Sequence, residues 1–121
     1  MSEARNPKQY DLEDRTFAFA QAVRKFVRRL KKTECNTEDG RQLIRASGSV
    51  GANYIEANEA LSKKDFLMRI RICRKEAKES RYWLRLIDTG EEPCHGRARD
   101  ELIQEATELM NIFGAILQKS Q

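Results

Sequence analysis

The sequence is short of most things that mark an enzyme site or a secreted scaffold. It has a single histidine, His95, in 121 residues. A Ser–His or Cys–His nucleophile pair therefore has one candidate base, and the Glu-x-x-His pairs of di-iron bundles have no helical histidine to use. The three cysteines, Cys35, Cys73 and Cys94, are odd in number, widely spaced and without a CxxC pair, which excludes a disulfide framework. Cys35, Cys94 and His95 fall in two connections, too few ligands for the usual metal spacings, so neither a metal nor a cofactor is expected. Proline is almost absent: Pro7 and Pro93 both sit outside the periodic segments. No apolar run approaches the ~20 residues of a membrane span, and the opening MSEARNPKQYDLED lacks the apolar stretch of a signal peptide. A cytoplasmic protein with no membrane partner is expected.

What is present is charge and helical periodicity. Charged residues make up 35% and hydrophobic ones 40% of the chain, and 121 residues form one domain with a single core. Four helices are expected, at about 12–32, 38–60, 62–89 and 97–119. The first places Leu12, Phe19, Val23, Phe26 and Leu30 on one stripe, widened by Val27, with one turn skipped near Thr16. The second steps strictly by fours and threes through Leu43, Ser47, Val50, Tyr54, Ala57 and Leu61. The third follows a Ser62 cap, with Asp65 favourably placed in the first turn, and runs through Phe66, Ile70, Cys73, Ala77, Ser80, Leu84 and Ile87 to a stop at Gly90 and Pro93. The fourth carries Leu102, Ala106, Leu109, Phe113 and Ile116. Heptad-like stripes joined by short connections specify an all-α, up-down-up-down antiparallel four-helix bundle.

Two features exceed what a simple bundle needs. Gly48 and Gly51 lie inside the second helix, where glycine costs up to about 1 kcal/mol relative to alanine. Their position points to close approach of a neighbouring helix. A second apolar set also widens the outer helices: Ile72, Tyr82, Trp83 and Leu86 on the third, Ile103, Met110 and Leu117 on the fourth. Such residues either broaden the core face or form a subunit interface, for which Tyr82, Trp83, Leu86, Ile103 and Met110 are the candidates.

Catalytic patterns are weak. Glu56 and Glu59 lie three apart, as do Glu76 and Glu79, but four carboxylates without histidine would be an unusual metal site. Lys75, Lys78 and Arg81 are also spaced to neutralise the acids along the helix. Ser47 and Ser49 lie in no G-x-S-x-G turn, and SGSVGAN fits neither the P-loop nor the G-x-G-x-x-G spacing. No enzyme activity is expected.

Charge is strongly segregated beneath a formal net charge of +4. Residues 21–32 carry Arg24, Lys25, Arg28, Arg29, Lys31 and Lys32 with no acid, and residues 62–87 carry nine cations against three acids. The remainder is acidic. Two concentrated basic runs favour a polyanion contacted through its phosphates rather than its bases. Arg24, Lys25, Arg28, Arg29, Lys31, Lys32, Arg71, Arg74, Lys78 and Arg85 are the candidate contacts, although solvated helix faces would look similar.

One resemblance sharpens this reading. The run LIRASGSVGANYIEANEALSKKDF, followed by RKEAKESRYWLRLI, resembles the four-helix-bundle family of 23S rRNA intervening-sequence proteins, also called S23 ribosomal proteins. Ile44, Arg45, Ser47, Ser49, Val50, Ala52, Asn53, Glu56, Ala57, Ser62, Asp65 and Phe66 match the family's central pattern. Lys75, Glu76, Ala77, Glu79, Tyr82, Trp83 and Leu84 match its second. The resemblance implies a cytosolic bacterial bundle that assembles as a homopentamer. It is distantly similar to the accessory variability protein of diversity-generating retroelements, a basic barrel that engages RNA. It carries over no catalytic residue. It also suggests that Arg45, Asn53, Glu56, Glu76 and Arg81 form a polar network that fixes helix register, since half-paired polar groups in such a place cost several kcal/mol.

The expected protein is thus a non-catalytic homo-oligomer associating with RNA more readily than DNA. A protein-interaction adaptor is the alternative, and a carboxylate metal enzyme a third.

Overall fold

The computed structural model describes residues 7–120, with side chains from Leu12 onward; the ends of the expected domain, residues 1–6 and 121, lie outside the described residues. The described residues form four helices: α1 (Pro7–Arg28), α2 (Glu34–Asn58), α3 (Lys63–Leu86) and α4 (Pro93–Lys119). There is no strand among the described residues.

Each helix begins where local chemistry favours a start, which is earlier than its apolar stripe for all but α3. Thr33, in extended conformation, accepts a hydrogen bond from the Asn36 amide at 3.0 Å and opens α2 several residues before Leu43. Ser62 caps α3 in the same way, accepting from the Asp65 amide at 3.1 Å, as expected. Pro93 does not merely follow α3; it is the first residue of α4, where a fixed φ and a missing N–H do no harm. α1 stops at Arg28 rather than Lys32, because the Arg29 and Leu30 amides turn back to Phe26 and Val27 in tighter three-residue bonds. α3 ends at Leu86, where Ile87 turns extended and Gly90 adopts φ +70. The Gly90 amide donates to the Asp88 carboxylate at 2.9 Å to close that turn.

Sequential helices pack side by side, and α1 closes the ring against α4; α1 and α3, like α2 and α4, lie diagonally, and the α2–α4 diagonal is bridged by side chains where the Tyr54 and Phe113 rings meet at 6.0 Å. Cross-contacts give the directions. Thr16 near the start of α1 meets Gly51 late in α2, whereas Val27 near its end meets Gly40 early in α2. Asn53 of α2 accepts from Arg69 of α3, Arg81 of α3 donates to Thr107 of α4, and Arg15 of α1 reaches Glu105 of α4. The arrangement is an up-down-up-down antiparallel bundle.

The core follows the expected stripes closely. Thr16 fills the skipped turn of α1; it is buried, and its hydroxyl donates to the Leu12 carbonyl at 2.8 Å. Four positions differ, the first being Phe66, which opens the α3 stripe and is only partly buried. Leu61 is 98% exposed because α2 ends at Asn58 and its register stops there. On α4 the stripe steps from Phe113 by four to Leu117, which is buried, while Ile116 is only partly so. Leu117 therefore belongs to the core and not to the outer apolar set. No helix among the described residues is long and apolar enough to cross a membrane.

The helical glycines divide sharply. A Cβ on Gly51 would stand 2.9 Å from Thr16 Oγ1 and 3.3 Å from Thr16 Cβ, so α1 packs directly on the bare backbone. A Cβ on Gly48 would meet only the Arg24 guanidinium at 3.3 Å, and that is the end of a flexible side chain. The expectation of close helix approach thus holds at Gly51, while Gly48 makes room for a side chain. Gly51→Ala is therefore expected to destabilise by about 1–3 kcal/mol through overpacking. Gly48→Ala should be neutral or gain up to about 1 kcal/mol of helix propensity. Urea unfolding of the two variants would show the opposite signs.

Asn36 ties one end of the bundle together. Its buried Nδ2 donates to the Lys31 carbonyl at 3.1 Å and to the Asp88 carbonyl at 2.9 Å. Its Oδ1 accepts from the Asp88 amide at 3.1 Å, so the α1–α2 and α3–α4 connections are joined as a pair of strands would be. Asn36→Ala strands buried backbone groups and is expected to cost about 2 kcal/mol in chemical denaturation.

Candidate nucleic-acid interface

The inner stripe of α3 is uncharged, so its many cations are driven outward. Arg71, Arg74, Lys75 and Lys78 all emerge on the flank that faces α4. Opposite them α4 presents Asn111, Gly114, Ala115 and Gln118. Because Gly114 and Ala115 are small, the two helices leave a groove of about 890 Å³ with Met110 and Leu117 in its floor. A Cβ added at Gly114 would lie 3.8 Å from Arg74 Nε and 3.9 Å from its Cζ, so the guanidinium rests over the glycine.

Among the described residues no carboxylate lines this groove. The ion pairs that helical spacing offered to Lys75 and Lys78 are not made with Glu76 or Glu79; ion pairs among the described side chains lie elsewhere. Four cations thus share one open cleft with two side-chain amides and, among the described residues, no acid in its lining. Arginine offers a planar fork matched to phosphate, and lysine a mobile point charge. The arrangement suits an extended anion lying along the bundle.

The cations of α1 are placed differently. Arg24 turns inward, donating from Nη1 to the Ala20 carbonyl at 3.0 Å and from Nη2 to the Ile44 carbonyl of α2 at 3.5 Å. Lys25 and Arg29 border a slot of about 360 Å³ between α1 and α4, whose walls also hold Arg15, Glu101, Glu105, Cys94 and His95. Lys31 and Lys32 join Arg41 around a shallower hollow at the α1–α2 connection, while Arg28 is exposed and outside all three. Since α1 and α3 are diagonal, the two basic runs do not merge into one surface on a single chain. Arg85 is exposed on α3 beyond the groove lining.

The residues suggested as a polar network are dispersed in pairs. Asn53 accepts from Arg69 Nη1 at 2.9 Å and donates to the Ser49 carbonyl, linking α2 to α3. Arg81 Nη1 donates to Thr107 Oγ1 at 3.3 Å, linking α3 to α4. Arg45 and Glu56 are exposed. Glu76 is half-buried, and burial, reinforced by Glu79, raises its carboxyl above the usual range against the pull of Lys75 and Arg45. The strongest polar link is elsewhere: Arg15 forms a fork on Glu105 at 2.7 and 2.9 Å and reaches Glu108 at 2.6 Å, fastening α1 to α4. Hydrogen bonds from Gln104 and then Arg15 hold the Glu108 carboxyl below its ordinary value.

Of the outer apolar candidates, Trp83, Ile103 and Met110 pack partly against their own core. Tyr82 and Leu86 stand 55% and 50% exposed. Met68 and, on the α1–α2 side, Phe17 and Ile55 are exposed apolar residues that periodicity did not single out. Cys73 is buried, which pushes its thiol up to about 12, whereas Cys35 and Cys94 are exposed and free. No three His, Cys, Asp or Glu side chains among the described residues converge as a metal group.

Of the four groove cations Arg71, Arg74 and Lys78 were expected contacts, whereas Lys75 was assigned to neighbouring acids; of the α4 wall only Met110 and Leu117 stood out, as apolar residues, and Asn111, Gly114, Ala115 and Gln118 did not. The Gly114–Ala115 pair in an otherwise bulky helix was the available signal.

Comparison with known proteins adds a family. The profile described as 23S rRNA-intervening sequence protein matches residues 8–115. Among solved structures, a protein of unknown function from the S23 ribosomal protein family of Bacteroides thetaiotaomicron superposes with a TM-score of 0.76 at 25% identity, covering 92% of this chain and 98% of that one. No curated protein matches.

Proposed function

The chain belongs to the family of 23S rRNA-intervening sequence proteins, and from that premise we propose that it is a non-catalytic protein that associates with nucleic acid, RNA in preference to DNA. The observation that carries the reading is the α3–α4 groove, where Arg71, Arg74, Lys75 and Lys78 line one cleft without a carboxylate among the described residues. Phosphate contacts release condensed counterions, so affinity of this kind falls steeply with salt. The family's name, which ties it to ribosomal RNA, supports RNA as the polyanion. Three free cysteines fit a reducing, cytoplasmic setting.

Fluorescence anisotropy with structured RNA, duplex DNA and single strands across a salt series tests the reading. Arg74→Ala with Lys78→Ala should weaken binding to every nucleic acid and reduce the log–log salt slope by about two. Arg28→Ala with Arg29→Ala should do so less, because those residues lie outside or beside a slot shared with Glu101 and Glu105. Unchanged slopes in both variants would leave the cations as solvated faces.

The same reading includes self-assembly, with the pentamer as the expected state. Met68 and Leu86, exposed near the two ends of α3, support it, since large apolar side chains at the surface favour a partner. Leu86→Glu is expected to shift the particle toward monomer in sedimentation velocity without lowering helicity. A wild-type monomer at all concentrations would turn these residues over to an adaptor role toward another protein.

A further inference from the structure

The outward face of α3 does not end in cations. Arg71, Lys75, Lys78, Tyr82 and Arg85 follow one another by steps of four, three, four and three, which places them on a single line along the helix. All five are exposed. Tyr82 is thus an aromatic ring set into a row of positive charges, with Lys78 and Arg85 each within about one turn of it.

Its ring is also held. Tyr82 meets Trp83 edge-on, with centroids 5.2 Å apart and planes at 74°. Trp83 in turn packs against the core. The tyrosine therefore stands 55% exposed beside a ring that is itself packed on the core. A tyrosine has only two side-chain torsions and loses little freedom when something flat lies on it.

We propose that Tyr82 is a base-stacking platform that makes the groove prefer unpaired nucleotides to duplex. This rests on the groove reading above and adds a ligand class to it. A base laid on Tyr82 would have its flanking phosphates beside Lys78 on one side and Arg85 on the other, continuing into the groove at Arg74 and Lys75. Within a perfect duplex, base faces are already stacked on one another and are not available to a side chain. Stacking is tolerant of sequence, so no base code is expected.

The test uses the full chain with a labelled single-stranded RNA of mixed sequence and the same RNA in a perfect duplex. Wild-type protein is expected to bind the single strand more tightly. Tyr82→Leu keeps apolar bulk but removes the π face, and should weaken the single strand by about tenfold while leaving the duplex unchanged. Tyr82→Phe should retain the preference. Trp83, the chain's one tryptophan, reports locally, and its fluorescence should change with the single strand and not with the duplex.

If Tyr82→Leu binds both RNAs as wild type does, with steep salt dependence intact, the platform is wrong and the groove reading stands. A variant that changes particle size in sedimentation assigns Tyr82 to a subunit contact and overturns the platform. Absence of binding to either RNA by wild type at low salt overturns the groove reading and this inference together.

Discussion

Burial of one narrow stripe from each helix is the constraint from which the rest of the molecule follows. Ile70, Cys73, Ala77, Ser80 and Leu84 line the inner face of α3, and none is charged or aromatic. That stripe lets α3 pack closely on both α2 and α4, its most extensive neighbours. It also leaves every cation of α3 to the flanks and the outside, because an unpaired charge in the seam would cost far more than the seam gains. The basic groove is thus a by-product of the packing, opened further by the absence of a side chain at Gly114.

The polar contacts tune this arrangement instead of driving it. Arg15 on Glu105 and Glu108 spans the seam between α1 and α4, the helix pair that packs least extensively. Partial exposure limits what these ion pairs contribute, though the forked geometry makes them directional. Asn36 acts differently. It is buried and makes three bonds to main-chain groups, so it fixes how the two connections at one end meet. Together these contacts hold the edges of a bundle whose centre is apolar.

The two basic runs differ in how their charges are placed. On α1 Arg24 is held by carbonyls of its own helix and of α2, and Lys25 and Arg29 border a slot that also holds carboxylates. On α3 Arg71, Arg74, Lys75 and Lys78 converge on one cleft, and Tyr82 stands in line with Arg71, Lys75 and Lys78. Positive charge is concentrated on one flank of the bundle and mixed with acids on another. In an assembly of several copies, that flank would repeat around the particle.

Much of the fold was legible because helical periodicity is a local property. Fours and threes in the sequence identified nearly the whole core, and Ser47, Thr16 and Gly51 marked where small or polar residues replace bulk. Helix ends were less legible, since Thr33 and Pro93 start helices that do not touch the core until a turn or more later. Leu61 kept the spacing but lost the helix, and Leu117 took the place that Ile116 could equally have filled. The sequence by itself determined four amphipathic helices, their antiparallel order, the outward fate of the cations and the family pattern. Only tertiary structure decided which cations share a cleft, because the second wall of that cleft lies on α4, remote in the chain, and is brought there by burial alone. The same holds for Asn36 with Asp88 and Arg15 with Glu105, whose partners no short-range rule connects.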